Sequence, residues 1–249
     1  MNIIRIQTLF QKECLRFLRV YNQTIISPVV NSLMLFLIFT FALNRGDDNH
    51  KEIIAVGLVI MTALQAAYFN TQSTITVAKV LGFIKDYTIT PLTSMEILIA
   101  FCIASCIRGL LVGVLTFVAL IFVCDFTFQN FIYPLYYFIA GMFIFSFLGV
   151  IIGFISADFD KSQAYSSYII VPLTMLSGTF YSIVDLPPFW QKIILLNPVF
   201  YIIDGFRNGI MGIHGSHNTI GLIVTGLSLP ILLYIAMFFL KRNLQKIDY

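Results

Sequence analysis

Six apolar runs, separated by short polar turns, constrain this 249-residue chain more than any other feature. Each is long enough, at ~1.5 Å per helical residue, to match the ~30 Å hydrocarbon core of a bilayer. No water reaches backbone N–H and C=O groups there, so each run must be helical. The spacing predicts spans at about 25–43, 53–73, 97–123, 133–154, 164–181 and 220–240. Only 11% of residues are charged, against about 25% in an average soluble domain. The chain therefore reads as one all-α, polytopic membrane domain over 1–249, with no cleavable signal peptide, because its first apolar run starts late and lacks a small-residue cleavage site.

Between the last two runs lies a stretch apolar enough for a membrane but broken in the middle, YSIVDLPPFWQKIILLNPVFYIIDGFRNGIMG, from Tyr181 to Gly212. Pro187 and Pro188 suit a first helical turn, where no backbone N–H is needed, and Asn197-Pro198 stops the helix they start. Two short helices are predicted, 189–196 and 199–210, neither able to cross alone. The pattern fits a re-entrant hairpin over about 187–210, with Trp190 and its aromatic neighbours in an interfacial belt. Asp204 and Arg207, three apart on the second helix, form a pair of small worth if solvated. They are expected to orient the hairpin and carry no chemistry.

Residues 1–21 form a basic amphipathic helix suited to an interface with anionic headgroups. Arg5, Lys12, Arg16 and Arg19 share one side; Glu13 is the exception, inside the apolar arc. It pairs with a cation of another segment, contacts a partner, or reaches water. The second span carries Thr62, Gln65, Phe69 and Gln72 on one face, and the fifth, kinked at Pro172, carries Ser167, Thr174 and Ser177 along one side. Such stripes bond neighbouring helices or line a wet path.

The loop after the second span is amphipathic, with Val77, Val80, Leu81 and Ile84 set against Lys79 and Lys85, and reads as a short surface helix. Thr93-x-x-Glu96 is a capping box opening the third span. Arg108, near the middle of that span, costs at least ~2.5 kcal/mol on insertion scales and must face protein or water. No acidic residue lies within two turns of it on its own helix, so its partner must come from elsewhere. Gly109-x-x-x-Gly113 and Gly149-x-x-x-Gly153 allow close helix approach.

Counting cations over six spans places both termini inside: ten fall in inner segments and four, Arg45, Lys51, Lys192 and Arg207, in outer ones. The hairpin then lies outside. The sequence holds no Gly-x-x-x-x-Gly-Lys-Ser/Thr loop, no Gly-x-Ser-x-Gly and no His-Glu-x-x-His. Cys14, Cys102, Cys106 and Cys124 read as free thiols, and His214-x-x-His217 lacks the further ligands of a metal site. Asp158 and Asp160, flanking Phe159 in a turn, suit solvation or a protein contact.

The amphipathic start, the six spans and the motifs Ser177-Gly178-Thr179-Phe180-Tyr181-Ser182, Leu186 to Trp190, Leu196-Asn197-Pro198 and Gly205-Phe206-Arg207-Asn208-Gly209 resemble bacterial ABC-2 permeases. The run Glu13 to Arg19 resembles the YadH-like and NodJ-like branch of that family in particular. The resemblance covers essentially the whole chain and implies a multi-pass inner-membrane export permease that forms a homodimer, recruits two copies of a separate ABC ATPase subunit, and touches membrane lipids and no nucleic acid. The chain itself would hold no cofactor, ATP and Mg being on the partner. The resemblance further implies a coupling helix at about 76–86, offering Lys79, Val80, Leu81, Phe83, Lys85 and Asp86, with lesser contacts from Glu13, Asp158 and Asp160. Thr62, Gln65, Phe69, Ser167, Thr174 and Ser177 would line the substrate path. Pro187, Pro188, Trp190, Asn197, Pro198, Asp204 and Arg207 would form an outer lid. An amphipathic or lipid-linked substrate, whether drug, oligosaccharide or lipid, suits the aromatic-rich, charge-poor helices. Two rival readings stay open: an ATP-independent secondary transporter using Arg108, and a membrane-embedded lipid enzyme.

Overall fold

The computed structural model describes residues 3–42, 48–85, 87, 90, 92–124, 132–181, 183, 186–212 and 218–245, and these contain helices and turns without a strand. Helix α1 (Ile3–Arg19) lies outside the spans. Helix α2 (Ser27–Leu37) is flanked by π-helical turns at Asn22–Ile26 and Ile38–Ala42. Next come α3 (Asp48–Val80), α4 (Ser94–Ile121) and α5 (Ile132–Ile155). Helix α6 (Phe159–Tyr165), a π-turn (Ser166–Ile170) and α7 (Val171–Met175) run on as one rod. Helices α8 (Pro188–Leu195), α9 (Pro198–Met211) and α10 (Asn218–Gln245) complete the chain.

Among the described residues, five helices are long and apolar enough to cross a membrane: Asn22–Phe41, His50–Val80, Ser94–Ile121, Ile132–Ile155 and Thr219–Gln245. The segment expected as the fifth span differs. Its rod starts earlier than predicted, at Phe159, because Asp158 caps it by accepting from the Lys161 N–H at 2.8 Å. It ends earlier too, at Met175, ahead of Gly178 with φ +77°. The rod is about 25 Å long, short of the ~30 Å hydrocarbon core.

The second span also departs from expectation, running unbroken through Val80 instead of stopping near Ser73. The amphipathic stretch read as a separate surface helix is the end of α3, followed by a left-handed turn at Gly82 (φ +79°) and a 3₁₀ turn over Phe83–Lys85. Loss of apolar character marks where a helix leaves lipid, and this helix continues beyond that point.

Helix α3 is the centre of the molecule. Both Gly-x-x-x-Gly stripes press against it, α4 through Gly109 and Gly113 onto Ala63 and Ala67, and α5 through Gly149 and Gly153 onto Thr71 and Ile75. A Cβ at Gly149 would overlap the Thr71 hydroxyl and the Tyr68 carbonyl, so only glycine allows this approach. The most apolar stretch of α3 is 83% buried, against 22% for the first span and 11% for the last. Those outer helices present apolar faces such as Met34, Ile38 and Phe41 or Ile223, Leu227 and Ile231. The Thr93–Glu96 capping box forms as expected: Glu96 accepts from the Thr93 N–H at 2.9 Å, and Thr93 Oγ1 from the Glu96 N–H at 3.3 Å.

Candidate functional site

At one end of α3, α1 packs against the body with Leu9, Glu13 and Phe17 buried. Glu13 is 1% exposed. Its Oε2 accepts from Thr74 Oγ1 at 2.8 Å and pairs with Arg16 Nε at 3.0 Å. Arg16 also donates to the Asn70 carbonyl at 3.1 Å and to the Thr74 hydroxyl. The residue that broke the apolar arc thus clasps α1 to α3. Its cation comes from its own helix, whereas the three readings left open by the sequence were a cation of another segment, a partner protein and water. Asn70 and Thr74 belong to no motif, and the misplaced charge was the one signal that led toward them. Asn70 Nδ2 in turn donates to Ser105 Oγ at 3.0 Å, extending the clasp to α4.

Lys79 is held too. Its ammonium donates to the Phe154 carbonyl at 2.8 Å and to the Ser156 carbonyl, at the C-terminus of α5, where helix carbonyls lack internal partners. This joins the ends of α3 and α5, so the two predicted coupling loops sit side by side. Beside that joint Val80, Leu81 and Phe83 are exposed at 43%, 58% and 54%, and Lys85 is exposed as well. Asp158, Phe159 and Asp160 are exposed on the second loop. Asp86 lies outside the described residues, as do Arg45, Lys246 and the His214–His217 pair.

The stripes of the second and fifth segments meet as a polar seam. Gln65 Nε2 donates to Thr174 Oγ1 at 2.8 Å, Tyr68 and Ser166 hydroxyls lie 2.9 Å apart, and Thr76 and Ser162 hydroxyls 3.0 Å apart. Gln72 Nε2 donates to Ser162 Oγ as well. Thr62 turns elsewhere, donating to the Leu58 carbonyl at 2.7 Å. Phe69 is half-buried, edge-on to Tyr68. Ser177 is buried, and Ser167 is exposed, away from Thr174. The predicted single face of Ser167, Thr174 and Ser177 breaks because the π-turn at Ser166–Ile170 shifts bonding by one residue and rotates α7 relative to α6.

At the other end of α3 the broken stretch forms two helices within a residue of the predicted bounds. Pro188 and Pro198 each open a helix, Pro187 precedes the first, and Phe189 and Trp190 are exposed. Asn197 does more than stop a helix: Oδ1 accepts from the Val199 N–H at 3.0 Å, and Nδ2 donates to Ser177 Oγ and to the Leu173 carbonyl, each at 2.8 Å.

Asp204 and Arg207 are buried, so the condition under which the pair would be of small worth, exposure to water, does not hold. They meet at 2.7 Å, with Arg207 4% exposed. Arg207 Nη1 donates to the Gly178 and Tyr181 carbonyls at 3.2 Å each, and Asn208 Nδ2 to Asp204 Oδ2 at 2.9 Å. The burial arises because α9 is sunk against α5 and α10, with Gly205 closed on the Tyr137 ring and Gly209 on Pro134.

Arg108 is buried, and its Nε donates to the Thr24 carbonyl at 3.2 Å. Thr24 lies in the first π-turn, where the shifted ladder changes which carbonyls remain available. A backbone carbonyl has no signature in sequence, which is why no partner could be named.

The ABC-2 type transporter family model matches residues 4–211. The inner membrane transport permease YadH of Escherichia coli K12 is 31% identical over 227 residues, covering 89% of this chain and 87% of that protein. YadH from E. coli O157:H7 and from Shigella flexneri match to the same extent.

Proposed function

Since this chain belongs to the ABC-2 type transporter family and is a bacterial inner-membrane transport permease, we propose that it is the membrane half of an ATP-driven exporter. In this reading two copies of the chain, each crossing six times with both termini cytoplasmic, pair with two copies of an ABC ATPase that supplies the nucleotide chemistry. The α6–α7 rod is the remaining crossing, its missing length made up by the turn after Met175. The observation that carries the proposal is the joint at Lys79. It brings exposed Val80, Leu81 and Phe83 of one loop beside Asp158 and Asp160 of the next, a continuous face of apolar and acidic side chains for a soluble partner.

ATP-driven closure of the ATPases would push on this face and, through unbroken α3, on the seam with α6 and α7, an alternating-access step. Gln65 and Phe69, half-buried along α3, would contact an amphipathic or lipid-linked substrate, and Ser167, exposed off the seam, would offer a separate contact. Thr174 would support that wall from inside, with Ser177 tied to Asn197 and Thr62 turned toward Thr116. The hairpin would act as the outer lid. The test is reconstitution with the cognate ATPase: Leu81→Ala/Phe83→Ala should uncouple ATP hydrolysis from substrate while leaving the folded permease intact. ATP turnover and export equal to wild type in that variant would refute the coupling role.

A further inference from the structure

A groove of about 350 Å³ separates α1 from the segment that leads into α4, at the lower end of the roughly 300–1,000 Å³ range of ligand pockets. One wall is α1, with Ile4, Arg5, Thr8, Leu9 and Lys12; the other is Tyr87, Thr90 and Leu92. The interior is apolar, and among the described residues two cations but no carboxylate line it. The Lys12 ammonium reaches across, 3.4 Å from the Tyr87 hydroxyl and 5.1 Å from the centre of its ring. Arg5 stands seven residues earlier, about two turns along the same face of α1. Ile3 and Ile4 are 76% and 72% exposed at the open end.

We propose that this groove binds one anionic phospholipid, its acyl chain along Ile4, Leu9 and Leu92 and its phosphate between Arg5 and Lys12. The charge pattern selects the headgroup. An ammonium carries three donors, so Lys12 keeps its contact with Tyr87 while donating to a phosphate oxygen. The apolar floor selects a lipid over a free phosphate, since soluble phosphate leaves that surface wet. Such a lipid would add to the bridge between α1 and the connection from α3 to α4, which already share the apolar cluster of Ile6, Leu9, Phe10, Ile84, Tyr87 and Leu92 and the Lys12–Tyr87 contact.

The experiment uses the full chain, delipidated in detergent and titrated with short-chain phosphatidylglycerol, short-chain phosphatidylcholine and glycerol phosphate, with adducts counted by native mass spectrometry. One phosphatidylglycerol per chain is expected to bind at least tenfold more tightly than phosphatidylcholine, with glycerol phosphate not retained. Arg5→Gln and Lys12→Gln should each weaken phosphatidylglycerol roughly fivefold, and together roughly thirtyfold, from the contribution of one basic residue to anionic-lipid attraction. Lys12→Arg should restore binding, and Arg19→Gln, on an exposed position outside the groove, should leave it unchanged. Thr8→Trp, which fills the groove, should remove both lipids, with circular dichroism confirming retained helix. Equal binding of the two lipids, an undiminished Arg5→Gln/Lys12→Gln double variant, or retention of glycerol phosphate at phosphatidylglycerol's affinity would each overturn the proposal.

Discussion

Two ion pairs three residues apart, Glu13–Arg16 and Asp204–Arg207, sit at opposite ends of the bundle and hold non-spanning helices to it. They look alike in sequence, yet they work differently. In the first, the carboxylate is buried and the guanidinium is 30% exposed. It can exchange protein partners for water when α1 shifts. In the second, Arg207 spends its donors on Asp204 and on the Gly178 and Tyr181 carbonyls, closing the hairpin over the turn that ends the α6–α7 rod. The same spacing therefore gives a clasp that can slip at one end and a lock at the other. That division suits the proposed exporter, in which the ATPase would act at the Glu13 end.

Removing one member of the lock should have the largest effect. Arg207→Ala leaves the Asp204 carboxylate with Asn208 but without its cation, and the Gly178 and Tyr181 carbonyls without this donor, a loss of about 3–5 kcal/mol. The detergent-solubilised chain should melt several degrees lower, at roughly 2–4 °C per kcal/mol. Asp204→Ala/Arg207→Ala should recover part of that loss because no charge is left unpaired. A double variant as unstable as the sum of its singles would show that the two residues act independently and would break the comparison.

The clasp should cost less. Glu13→Ala removes the carboxylate shared by the Thr74 hydroxyl and Arg16, about 1–3 kcal/mol, offset in part because both can still donate to the Asn70 carbonyl and because Arg16 is partly open to water. Glu13→Gln keeps an acceptor for Thr74 and should fall between. Hydrogen exchange over residues 3–19 should rise in both variants while the hairpin stays protected. Equal deprotection of residues 198–211 would mean that the two ends unfold as one unit and are not separately held.

How far these arrangements were legible depends on whether side chains or backbone made them. The hairpin helices were predicted closely because Pro188, Asn197 and Pro198 act locally on their own backbone. The glycine stripes foretold tight packing for the same reason, though not that α3 would receive both. What stayed hidden involved carbonyls and register: the Thr24 carbonyl that accepts from Arg108, the π-turns that send Ser167 and Thr174 apart, and the carbonyls that hold Lys79. Asp204 and Arg207 were recognised as a pair but their burial was left open, because spacing fixes which residues meet and says nothing of what covers them.

Lys79 stands between the two cases, a cation spent on carbonyls like Arg207 but at the end where α1 is clasped. Lys79→Met keeps the apolar stem and removes the donors, at about 1 kcal/mol because carbonyls at a helix end can turn to water. Faster hydrogen exchange at residues 155–162 is the expected readout. Unchanged exchange there would show that the two loops are held together by something other than this side chain.

The smallest effect reads the clasp's charge directly. Cys14 is the residue after Glu13 on α1, and its thiol is pushed above its ordinary pKa first by burial and then by the neighbouring carboxylate. A raised thiol pKa means less thiolate at a given pH, so maleimide labelling of Cys14 should be slow near neutrality and climb only as pH rises past the ordinary thiol range. Glu13→Gln removes the charge but leaves the burial, so the labelling profile should move part of the way back toward lower pH. The other cysteines, Cys102, Cys106 and Cys124, can be replaced by serine or alanine to isolate the signal. An unshifted profile in Glu13→Gln would mean that Arg16 already cancels the carboxylate's field at Cys14. The clasp would then be as tightly paired as the lock, and the contrast between the two ends would rest on solvent exposure alone.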